Sequence, residues 1–70
     1  MPDPASRHDL LDAGQRAFDA GAFSEAAGYF AEALLRDPAD LAACLGLGCA
    51  LMEHGDPEGA AGAFARGLEA

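Results

Sequence analysis

Apolar and polar residues alternate with a helical period along almost the whole chain. Leu11, Gln15 and Phe18, and again Leu45, Cys49 and Met52, recur at spacings of three and four, the signature of one face of a helix. Local signals divide this pattern into four predicted helices, over about 6–20, 24–36, 40–54 and 57–70. Each has a start signal. Ser6 with Asp9 three residues later resembles a capping box, Ser24 and Asp40 are candidate N-caps, and Asp56-Pro57 sets a cap before a proline at the first helical position. Gly21 and Gly55 fall just past the first and third helices, where a left-handed backbone is common. Pro38 closes the second helix. Residues 1–5, "MPDPA", read as a disordered lead-in.

The chain also repeats itself. At an offset of 34 residues, the distance from Leu11 to Leu45, the halves agree at Gly14/Gly48, Gly21/Gly55, Ala26/Ala60, Ala27/Ala61, Gly28/Gly62, Phe30/Phe64, Ala31/Ala65 and Leu34/Leu68. The agreement falls on small and apolar positions, and this period marks a helix-turn-helix repeat. Two units follow, 6–38 and 40–70, in one small domain. The second is expected to be incomplete, because no residue matching Pro38 follows it. A repeat stack needs about three units or a polar cap to cover its last apolar face. The helix at 57–70 is therefore expected to expose Phe64 and Leu68 as a self-association or partner face, and its Gly59, Gly62 and Gly67 would let it fray if it stood alone.

Composition agrees with an all-α chain and narrows the partners. There is no Val, Ile or Thr, which argues against strands. Twelve acidic residues against four arginines and no lysine give a net charge of −8, which offers no footprint for nucleic acid or an anionic membrane. No apolar stretch follows a basic N-terminal segment, so neither a signal peptide nor a membrane span is expected. Cytoplasmic residence with reduced thiols is the expectation. Cys44 and Cys49, five apart on a helix, point roughly 140° from each other at about 100° per residue, which speaks against a disulfide.

Tetratricopeptide repeats carry a large apolar residue, Leu-Gly, a further large residue, Gly, Ala, an aromatic, Ala and Pro in order, and the chain resembles two of them. The first unit offers Leu10, Ala13, Gly14, Ala17, Gly21, Ala26, Phe30, Ala33 and Pro38; the second offers Cys44, Leu47, Gly48, Leu51, Gly55, Ala60, Phe64 and Gly67. The resemblance implies paired antiparallel helices in which Gly14 and Gly48, with Ala26 and Ala60, let the helices of a hairpin approach while Phe30 and Phe64 fill the space beside them. Gly46 is not required by the pattern and is expected to keep one patch of the inner surface shallow.

The same resemblance implies a concave groove lined by the first helix of each repeat and holding a peptide. Its positions here are His8, Leu11, Gln15 and Phe18, then Ala42, Leu45, Cys49 and Met52, with Asp12, Asp19 and Glu53 at the rim. The chain has no lysine or asparagine, so it lacks the clamp by which some family members hold a C-terminal carboxylate. The acidic rim would repel such a ligand as well. Apolar anchors with an acidic rim suit a segment with aliphatic side chains and Lys or Arg nearby. A narrower resemblance, to the first two repeats of type III secretion chaperones for translocator proteins, rests on "LGLG" at 45–48 and "FARG" at 64–67. It implies an acidic, cytoplasmic, often dimeric chaperone whose apolar concave face takes a short N-terminal stretch of its client. Those chaperones have three repeats and an N-terminal dimerising helix, which this chain does not show.

An enzyme would need a nucleophile, a base and an orienting group, or a metal site. Cys49 with His54 and Cys44 with His8 are the available pairs, and neither has helical-face geometry or a third member. Cys44, Cys49 and His54 match no usual zinc spacing. Cys44 is expected to be a small buried hydrophobe and His54 a favourable cation near a helix C-terminus. The expected function is a non-enzymatic protein or peptide binder without cofactor, as an adaptor or small chaperone in a homo-oligomer or hetero-complex. The alternative is an oligomerising scaffold, or the N-terminal piece of a longer repeat protein, with no ligand of its own.

Overall fold

Helix-forming sequence and closely spaced turn signals produce four consecutive helices: α1 (Arg7–Asp19), α2 (Phe23–Arg36), α3 (Leu41–His54) and α4 (Pro57–Glu69). The computed structural model describes residues 7–69. The expected lead-in at 1–5, the cap at Ser6 and the last position, Ala70, lie outside the described residues. The helices pair as two hairpins, α1 with α2 and α3 with α4, joined through α2 and α3; α1 also touches α3, whereas among the described helices α4 packs on α3 alone. Because the helices lie side by side, the body measures 38 × 29 × 12 Å.

The two hairpin turns share a backbone and differ in side chains. Gly21 and Gly55 both adopt the left-handed conformation, with φ of 81° and 89°. In the first turn Ala22 N–H donates to the Ala17 carbonyl at 2.8 Å, and in the second Asp56 N–H donates to the Leu51 carbonyl at 2.8 Å. The expected cap at Ser24 is corrected here. Ala22 is the N-cap of α2, without a side-chain bond, and Ser24 lies inside the first turn. Phe23 is the cause: its ring meets Phe18 edge-on at 5.2 Å between centroids, which draws residue 23 into the helix. The second turn has Pro57 in place of Phe23 and uses a polar cap instead, the Asp56 carboxylate accepting from Gly59 N–H at 3.0 Å.

Between the hairpins, Asp37, Pro38, Ala39 and Asp40 turn the chain. Asp40 caps α3 as expected, accepting from Ala43 N–H at 3.1 Å, and it is itself buried. Asp37 accepts from Ala39 N–H through its carboxylate at 3.2 Å, and Asp40 N–H donates to the Asp37 carbonyl at 3.0 Å. The turn is thereby hydrogen-bonded from within, and α3 starts where the acid sits.

The core is made of small residues around one ring. Leu10, Ala33, Leu34, Ala43 and Cys44 form one buried cluster, and Ala26, Phe30 and Ala50 form a second, with Leu11 and Leu47 packed against both. Cys44 is fully buried, Cys49 is exposed, and both are free thiols. A Cβ on Gly14 would stand 2.9 Å from the Phe30 ring, and one on Gly48 would clash with Phe64 at closer range. The seats expected at these two glycines are therefore present. Gly46 is corrected: its Cβ would stand 2.6 Å from Phe30, so it is a second seat for that ring and not merely a shallow patch. The repeat pattern could not show this, because the contact joins α3 of one hairpin to α2 of the other.

Two outcomes follow for stability. Gly46→Ala is expected to lower the unfolding free energy by about 1–3 kcal/mol through overpacking against a buried ring, despite roughly 1 kcal/mol of gained helix propensity. Gly28→Ala, where nothing lies within 4 Å, is expected to raise it by about 0.5–1 kcal/mol. Urea denaturation of both variants checks the pair; stabilisation by both would show that Phe30 is not seated on Gly46. Asp40→Ala, which removes the α3 cap, is expected to cost about 1 kcal/mol in the same measurement.

Candidate functional site

The α1 and α3 helices lie on the same side of the sheet of helices, with α2 behind them, and the space between them is an apolar groove. Leu11, Gln15 and Phe18 of α1 form one wall, Ala42, Leu45 and Cys49 of α3 the other, and Phe30 with Gly46 the floor, around a volume of about 370 Å³. The floor follows from the packing just described. With no side chain on Gly46, the Phe30 ring can lie under the groove while remaining only 4% exposed.

Of the expected groove residues, Leu11, Gln15, Phe18, Ala42, Leu45 and Cys49 come together. His8 and Met52 do not line this space: His8 is exposed near the start of α1, and Met52 is 54% exposed. Met52 stands where the repeat places Phe18, and the surroundings of the two differ. Phe18 is held by Phe23, whereas the residue matching Phe23 in the second hairpin is Pro57, which has no ring to stack. Phe30 and Gly46 are the site residues missed as such from sequence. The signal for them was the glycine that the repeat did not demand.

The rim is acidic, and part of its charge is engaged. Asp12 pairs with Arg16 one turn later, 3.3 Å apart and solvent-exposed, a contact of roughly 0.3–0.5 kcal/mol. Gln15 donates its amide to the Asp19 carboxylate at 3.0 Å, which turns the polar end of a groove-lining side chain toward the rim. Glu53 is exposed. At the C-terminal end of the molecule, Phe64 rests on Gly48 and is half-buried, and Leu68 is 89% exposed.

The arrangement suits apolar contact more than chemistry. Cys44 lies in the core, away from the groove that Cys49 lines. Among the described residues no three His, Cys, Asp or Glu side chains converge as a metal ion would require. Among them, too, no helix is long and apolar enough to cross a membrane.

No curated protein and no solved structure matches the chain. A family model does. The model for the tetratricopeptide repeat matches residues 17–70, from the last three residues of α1 through α4, and so includes both hairpin turns and the seats of Phe30 on Gly46 and of Phe64 on Gly48. Repeats of this kind form a non-catalytic fold that generally mediates protein–protein interaction. With two helical hairpins related by a 34-residue offset and a family match over most of its length, the chain belongs to the tetratricopeptide repeat family.

Proposed function

We propose that the groove between α1 and α3 binds a peptide segment of another protein, one aliphatic or aromatic side chain entering between Phe18, Leu11 and Leu45. The observation that carries this reading is the groove itself: an open volume of about 370 Å³ with apolar walls on two helices and a ring for its floor. Burying Leu45, now 48% exposed, would supply hydrophobic free energy that solvent leaves unused. The acidic rim and the net charge of −8 select the flanks of the ligand, favouring Lys or Arg beside the anchor and disfavouring a carboxylate.

In a cell this chemistry suits an adaptor or a small chaperone in the cytoplasm, shielding an apolar segment of a basic client. The likeness of "LGLG" and "FARG" to the secretion chaperones agrees with such a role and does not fix the client.

The test uses short synthetic peptides that vary in anchor and in flank, titrated into the protein and followed by fluorescence anisotropy. Peptides with Leu or Phe between lysines are expected to bind, with affinity falling as salt rises from about 50 to 500 mM. Leu45→Glu is expected to weaken them roughly tenfold or more by removing an anchor contact, with helicity unchanged because the residue is already half in water. Met52→Ala, outside the groove, is expected to have little effect. Preference for acidic flanks, or indifference to Leu45→Glu, would overturn the reading.

A further inference from the structure

The outward side of α2 carries an aromatic ring between two acids around an open hollow. α2 packs on α1 and α3 and buries Ala26, Phe30, Ala33 and Leu34. Glu25, Gly28, Tyr29 and Glu32 are all exposed and together line a space of about 390 Å³. The space is open because residue 28 has no side chain, and a Cβ placed there would meet nothing within 4 Å. Tyr29 forms one wall and is 39% exposed.

The internal repeat shows that the scaffold does not require this set. At the offset that aligns Leu11 with Leu45, Glu25 matches Gly59, Tyr29 matches Ala63 and Glu32 matches Arg66, while the glycine is kept as Gly28 and Gly62. Ala63 is only 4% exposed, so a methyl group suffices for packing at the position where the first hairpin presents a phenol ring. Tyr29 and its two acids are therefore features of α2 in its own right.

Charge and ring chemistry specify the occupant. Tyr29 stands four residues after Glu25 and three before Glu32, the spacings at which helix side chains are neighbours, so the carboxylates bracket the ring. Neither carboxylate has a hydrogen bond or ion pair among the described residues. The face of an aromatic ring attracts a cation. A guanidinium answers both demands at once, since its plane stacks on the ring while the N–H groups at its edge donate to carboxylates. We propose that this face of α2 docks a polar segment of a partner protein through an arginine, its guanidinium stacked on Tyr29 between Glu25 and Glu32. A second copy of this chain is the poorer candidate, because each body carries −8. The face shares no residue with the groove, and the proposal holds whether or not the groove binds peptide.

Tyr29 is the only tyrosine and the chain has no tryptophan, so intrinsic fluorescence reports from the proposed contact. The probe is the peptide acetyl-Gly-Ser-Arg-Ser-Gly-amide, which has no apolar side chain to enter the groove, titrated into the 70-residue protein. A saturable change in tyrosine emission is expected, with amide shifts of the isotope-labelled protein concentrated on residues 25–32. Glu25→Gln with Glu32→Gln is expected to weaken binding about three- to tenfold, and lysine in place of the arginine to weaken it about threefold. Gly28→Leu fills the hollow where no atom opposes it and is expected to abolish binding with helicity retained. Leu45→Glu, in the groove, is expected to leave binding unchanged. No saturable change, shifts spread equally over Asp12, Asp19 and Glu53, equal binding of the lysine peptide, or indifference to Gly28→Leu would each overturn the proposal. Sedimentation equilibrium showing a dimer of the protein alone that Glu25→Gln with Glu32→Gln dissociates would assign the face to a second copy and overturn it equally.

Discussion

The ring of Phe30 lies between two glycines, Gly14 on α1 and Gly46 on α3, and the fold depends on that placement. Each glycine gives up about 1 kcal/mol of helix propensity, a large sacrifice for a domain whose core supplies only about 3–5 kcal/mol. The return is that three helices share one buried aromatic group. The surrounding core is mostly alanine, which lets helix backbones come close but buries little area per residue. Without the ring, the two hairpins would meet across small side chains alone.

The same contact shapes the concave side. A side chain on α3 at residue 46 would both displace Phe30 and fill the groove above it, so packing and groove depth are set by the same missing atoms. Fold and site are in this sense one arrangement. Their coupling runs through a packed ring and not through a flexible loop, so a peptide bound as proposed would meet a firm floor, which lowers the ordering cost of binding.

The two repeats are alike in backbone and unlike in detail, and the differences determine where surface is left open. Phe18 with Phe23 stiffens the first turn; Asp56 with Pro57 does so for the second and leaves Met52 in solvent. Asp9 and Asp12 make the outer side of α1 polar, whereas Phe64 and Leu68 make the outer side of α4 apolar.

Four helices, their two glycine turns, the caps at Asp40 and Asp56 and the buried role of Cys44 were legible in the sequence, because each rests on short-range chemistry or on the offset between Leu11 and Leu45. Six of the eight positions expected along the groove surround one open volume, since helical spacing puts them on one face. The start of α2 was not legible, because an aromatic contact across the turn outweighed the capping preference of Ser24. Nor was the second seat of Phe30, or the exclusion of Met52 from the groove. The sequence by itself determined the elements and their repeat; only the tertiary structure decided how a ring on one hairpin meets a glycine on the next, because that contact depends on how close two helices come and leaves no period along the chain.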